Sequence, residues 1–177
     1  MVAIVGGPSL TRIAGVIAYA AGFAFCTGRW RQIGKRGRGS NLFAALALVQ
    51  LVLLLDNVFN LRWKLHAVVD WTAASLGVYE LRRGPQLLAL CGLAALAILL
   101  VVLIAVRFRG RMGVALALVG TMISVVLRGI EVISYHNTDA MLYRQVGGVM
   151  VVALAWIGLA LVTCLGILID ARSWQLR

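Results

Sequence analysis

The chain has 177 residues, 62% of them hydrophobic and only 13% charged, with a mean hydropathy of +0.97. Soluble domains are about half apolar and about a quarter charged, and a fold of this size has no interior large enough to hide the excess. That excludes a soluble globular protein, a disordered chain and a secreted disulfide scaffold, and leaves an integral membrane protein whose net charge of +11 reports topology before it suggests nucleic acid.

The first apolar run is Ser9–Gly28. Met1–Gly7 lacks the positive charges of a signal-peptide n-region, and Phe25 directly before Cys26 makes a poor lipoprotein cleavage site, so the run reads as a mature helix. Ala14, Ala18, Gly22 and Cys26 place a small residue every four positions, a face that another helix can approach closely. Internal packing is the first expectation for that face, and docking of a neighbouring subunit the second. The loop Arg29–Ser40 carries five basic residues and no acid. Topology and contact with anionic lipid account for it. Nucleic-acid binding would call for interleaved stacking aromatics, and the loop offers only Trp30.

Run two, Asn41–Phe59, is polar past Asn41 only at Gln50, Asp56 and Asn57. Beyond it Leu61, Leu65, Val68, Thr72 and Leu76 recur at three- and four-residue spacing, which predicts an amphipathic helix over 60–79. Trp63 and Trp71 suit the headgroup level, so the helix is expected to lie on the membrane interface. Arg62, His66 and Asp70 form a second stripe at i, i+4 and i+8, expected to be solvated and mutually paired. Gly84-Pro85 closes the excursion, and Pro is tolerated in a first helical turn, as Pro8 is before run one.

Run three is Gln86–Val106, run four Gly113–Ile133 and run five Val146–Ile169. A span needs about 20 apolar residues. In hydrocarbon the backbone must satisfy its own N–H and C=O groups, so each run is a helix, and the alternation of a barrel strand is missing. The predicted fold is all-α: one polytopic domain over 1–177, with five transmembrane helices plus the interfacial helix between spans two and three.

The first loop, Arg107–Arg111 and the tail with Arg172 and Arg177 fall on one side and hold ten of the 17 basic residues. The positive-inside rule puts that side in the cytoplasm of a bacterial inner membrane, with the N-terminus outside and the C-terminus inside. Trp30 and Trp174 are interfacial anchors, and the preference for Arg over Lys reads as a genomic habit. Cys26, Cys91 and Cys164 lie in apolar runs without CxxC spacing and read as small buried hydrophobes.

Charges within a span mark a functional site or a paired structural contact. The candidate polar cluster is Asp56, Asn57, Arg62, His66, Asp70, Arg128, Glu131, Ser134, His136 and Asp139, all toward the outer side. Arg128 and Glu131, at i,i+3, can neutralise each other. Alternatively Asp56 pairs with Arg128 across helices and leaves Glu131 to Arg62 or Arg144. His66 with Asp70, and His136 with Asp139, would suit Zn, Fe or Mn if the two segments meet. Two histidines could also ligate a b-type haem, although both sit at the surface ends of their segments. No short motif such as H-E-x-x-H ties these ligands together. The stretch Glu131–Asp139 faintly resembles the Ser…His signature of ceramidase-like membrane hydrolases. Those proteins have more spans and further His ligands near the last one, so no catalytic role follows here.

The expected function is non-enzymatic: an accessory, assembly or structural subunit of a larger membrane complex. Its partners would be lipids and other membrane subunits, not nucleic acid. The alternatives are a metal- or haem-dependent site at the outer interface, redox or hydrolytic, and transport of a proton or small solute through Asp56, Arg128 and Glu131. No inverted repeat supports transport.

Overall fold

The computed structural model describes residues 9–34, 39–75, 83–133 and 135–175. Pro8, Lys35, Arg36, Arg38, Leu76, Glu80, Arg82, Ser134 and Arg177 lie outside that set, as do the side chains of Trp63, Asp70 and Trp174.

Among the described residues five helices are long and apolar enough to cross a membrane: α1 (Leu10–Ile33), α2 (Ser40–Phe59), α4 (Arg83–Arg107), α5 (Met112–Ile133) and α7 (Val151–Gln175). Between them lie α3 (Leu61–Ser75), α6 (His136–Leu142) and a two-stranded hairpin, β1 (Gln145–Val146) and β2 (Val149–Met150). The chain is therefore an all-α, multi-pass membrane protein. The spans alternate in direction. One end of the bundle, here the upper end, gathers the start of α1, the end of α2, the end of α5 and the start of α7; the other is the lower end.

Several boundaries differ from the sequence reading: α4 begins at Arg83 and not at Gln86, and α7 runs past Ile169 to Gln175. Helix α1 continues past Gly28 to Ile33, because Arg29 finds a buried acid on α7 and stays inside the bundle. It stops where Gly34 adopts φ 73° and returns its N–H to Trp30 and Arg31 carbonyls. Helix α7 starts at Val151 and not at Val146, because Gln145–Met150 is spent on the hairpin. Gly147 and Gly148 both take positive φ there, 60° and 81°, as a tight two-residue hairpin turn requires.

Helix α1 packs between α2 and α7; α5 packs along α7 and carries α4 on its other flank. The small residues of α1 point inward: Ala18, Gly22 and Cys26 are buried, and Ala14 is half-buried at the flank. A Cβ at Gly22 would stand 2.7 Å from the Gln50 side chain, whose amide in turn donates to Thr121 Oγ1 at 3.1 Å. The closest crossing is α5 on α7. A Cβ at Gly113 would meet the Asp170 amide and the Gly166 carbonyl oxygen, and one at Gly120 would meet Thr163 and Leu159. Small residues allow this because helices in lipid are held by close packing and not by a hydrophobic force between them. Gly113→Ala is expected to destabilise the bundle by roughly 1–3 kcal/mol through overpacking. Gly92→Ala, where nothing lies within 4 Å, leaves melting in detergent unchanged or slightly raised. Equal melting of the two variants would contradict the crossing.

The helix expected over 60–79 is described over Leu61–Ser75, and its polar stripe is not solvated as expected. Leu61, Leu65 and Val68 are exposed and Trp71 is 72% exposed, whereas the Arg62 side chain is only 10% exposed and His66 is half-buried. The stripe read as solvated thus faces the bundle at Arg62 and His66. The cause lies in the join: Asn60 sits in the left-handed region at φ 53°, and the Arg62 amide donates to Asp56 Oδ1 at 2.9 Å. That turn swings the Arg62 guanidinium over the end of α5.

Candidate functional site

At the upper end three elements bring two guanidiniums and two carboxylates together. Asp56 comes from the last turn of α2, Arg62 from the first turn of α3, and Arg128 with Glu131 from the end of α5. Arg128 Nε lies 3.0 Å from Asp56 Oδ2, and its Nη1 lies 3.1 Å from Glu131 Oε2. Arg62 Nη1 reaches the same Glu131 oxygen at 2.9 Å. Both pairings open to the sequence are therefore made at once: Arg128 serves Asp56 and Glu131, and Glu131 serves Arg128 and Arg62. Arg144 is exposed, and the partner of Glu131 across helices is Arg62.

Helix α7 contributes Trp156, which is fully buried. Its indole N–H donates to Glu131 Oε1 at 2.9 Å, so both carboxylate oxygens are occupied. The Arg62 and Arg128 guanidiniums lie 5.1 and 5.0 Å from the Trp156 ring centre, and Arg128 also lies 5.5 Å from that of Tyr19 on α1. Cation–π attraction is strongest where water is excluded. The quartet sums to zero charge and each charge has a partner, the condition under which ionised side chains survive burial. Helices α2, α3, α5 and α7 are tied at one point, and α1 closes over it through Tyr19.

Asn57 sits beside this network, 1% exposed, with neither end of its amide hydrogen-bonded among the described residues. It packs against Gly15 next to Trp156, a position that no Cβ on residue 15 would allow. Tyr143, at the end of α6, has its hydroxyl pKa raised by burial, with the nearby Glu131 and Asp139 adding to the shift.

His136 is exposed at the start of α6 and Asp139 is half-buried one turn later. Ser134 and the Asp70 side chain lie outside the described residues. Among the described residues no three of His, Cys, Asp and Glu come together in a way that would hold a metal ion. The cysteines divide: Cys26 and Cys164 are buried and free, as expected, but Cys91 is exposed on α4.

A second network at the lower end went unread in the sequence. Arg29 donates from Nε and Nη2 to Asp170 Oδ2 at 3.0 and 2.8 Å, and Arg111 Nη2 reaches Asp170 Oδ1 at 3.2 Å. Arg29 and Asp170 are 6% and 3% exposed. The available signal was that Asp170 is the one acid on a strongly basic side, at the end of a run with no other ionisable residue.

No protein-family model, no curated protein and no solved structure matches this chain. Its class rests on its own helices: a multi-pass α-helical membrane protein with a charge-neutral network near one end and a basic network near the other.

Proposed function

We propose that the chain is a non-enzymatic accessory, assembly or structural subunit of a larger complex in a bacterial inner membrane, and that α4 is its docking helix. The carrying observation is the one-sidedness of α4. This is the most apolar of the described spans, with a mean hydropathy of 3.2 over its central stretch, only 6% of that stretch is buried, and its main packing is on α5. Gln86, Leu90, Leu93, Ala97, Leu100 and Ile104 face α5, at the spacing of one helical stripe. The opposite row, Leu88, Cys91, Ala95, Leu99, Val102 and Val106, is exposed throughout. The remaining spans form a body fastened by ion pairs at both ends, the kind of rigid platform on which a docking helix keeps its position.

The lower end is cytoplasmic in this proposal, since the three basic stretches belong to it. The exposed row of α3, with Trp71, lies in the outer headgroup region, where an amphipathic helix buries its apolar side.

Cys91 offers the test, since it stands on the free face of α4. A benzophenone maleimide attached there is photolysed in native membranes, alongside a Cys91→Ala chain carrying Ile17→Cys on the lipid-facing side of α1. Discrete protein adducts from position 91 and none from position 17 are expected. Bare or lipid-modified monomer from both positions would remove the proposal.

A further inference from the structure

We infer that the lower end of α2 is a binding site for a phosphate group, carried by an anionic lipid headgroup or free in solution. The inference stands independently of the docking role of α4. Helix α2 starts without a side-chain cap: Gly39 precedes it at φ 94°, and among the described residues no side chain is bonded to its first-turn amides. The Leu42 and Phe43 amides return to the Gly39 carbonyl at 3.1 and 3.2 Å, while the Ser40 and Asn41 amides find no acceptor among the described residues. A left-handed residue followed by a helical one turns successive N–H groups toward one point, an arrangement that suits an anion. The positive end of the helix dipole adds to it.

Two further observations point to a ligand. Ser40 is 2% exposed and its hydroxyl has no hydrogen-bond partner among the described residues. A buried hydroxyl without a partner is uncommon in native proteins and calls for an acceptor. Above the same turn stands Arg111, whose Nη2 and Nη1 lie 3.8 and 3.9 Å from where a Gly39 Cβ would be. Its side chain is 38% exposed, so an incoming group can reach it.

Charge selects the ligand. Arg29 and Arg111 share the single carboxylate of Asp170, which leaves one positive charge in excess, and the first turn of α2 holds no acid. The upper network cancels its own charge; this one does not. A phosphate has a negative charge and several acceptor oxygens to spread over a guanidinium fork, a hydroxyl and two amides. A helix of 20 residues spans about 30 Å, so its first turn stands at headgroup level. That position favours a phospholipid as the source.

The test uses the full chain, delipidated in mild detergent and titrated by native mass spectrometry with dioleoyl phosphatidylglycerol or phosphatidylcholine. The anionic lipid is expected to bind about tenfold more tightly, the scale of one well-placed charge-assisted contact. Ser40→Asp puts a carboxylate on the same amides, where helix ends tolerate it, and is expected to abolish the preference. Arg111→Gln weakens it while Arg29 still holds Asp170. Should Ser40→Asp not fold, Ser40→Ala joins Arg111→Gln on the same readout. Saturable binding of inorganic phosphate, lost in these variants, would identify free phosphate as the source. Equal binding of the two lipids without phosphate binding, or a preference that survives these variants, overturns the inference; survival would trace it to the basic loop alone.

Discussion

Glu131→Ala is expected to cost the protein roughly 3–5 kcal/mol, the range seen when one member of a buried ion pair is removed. Glu131 has no side-chain exposure, accepts hydrogen bonds from Arg128 Nη1 and the Trp156 indole N–H, and is ion-paired with Arg62 Nη1. Alanine leaves two guanidiniums facing one carboxylate, Asp56, and strands the indole N–H. The positive excess has nowhere to go, because Asp56 and Glu131 are the only acids in the network. Glu131→Gln keeps the shape and one acceptor oxygen, so it should fall between wild type and alanine. The measurement is thermal unfolding in detergent, followed by helical circular dichroism. A second comparison separates charge from shape. With Arg62→Met added to Glu131→Gln, the network again sums to zero, and the double variant should melt above the sum of the single losses. Additive losses would mean that the two residues do not act as one unit.

The spans were legible because hydrocarbon imposes one rule. A run of about 20 apolar residues must be helical, whatever its neighbours do. The pairing of Asp56, Arg128 and Glu131 was legible for the same reason, since isolated charges in a span are untenable and few partners were available. What failed was the polar stripe of α3. Its spacing was visible, but periodicity cannot tell a polar row in water from one that finds partners inside the bundle. The choice came from the left-handed turn at Asn60 and from the amide of Arg62 on Asp56, contacts that the spacing within α3 does not encode. Asn57 was equally opaque, because its position beside Trp156 depends on the absence of a Cβ at Gly15 on another helix. The lower network was missed for a different reason: Arg29 opens a basic stretch that topology alone seemed to explain, and the continuation of α1 to Ile33 was unforeseen.

Asp170→Ala should have an effect of similar size, roughly 3–5 kcal/mol, at the opposite end of the bundle. Its carboxylate is 3% exposed and takes three hydrogen bonds, two from Arg29 and one from Arg111. The two arginines will not respond alike. Arg111 is 38% exposed and can turn to water, whereas Arg29 is 6% exposed and lies over the Phe43 ring at 5.9 Å. Most of the loss should therefore come from Arg29. Removing the buried pair together, as Arg29→Met with Asp170→Leu, leaves no buried charge unpaired, since Arg111 can turn to water, and should recover much of what the single change loses. Arg111→Gln alone should cost less than about 1 kcal/mol, as exposed pairs do. The order of melting is then wild type and Arg111→Gln highest, the apolar pair next, and Asp170→Ala lowest. If the apolar pair melts no higher than Asp170→Ala, the bridge does more than neutralise Arg29. The close crossing of α5 on α7, where a Gly113 Cβ would strike the Asp170 backbone, would then need the carboxylate itself to hold its register.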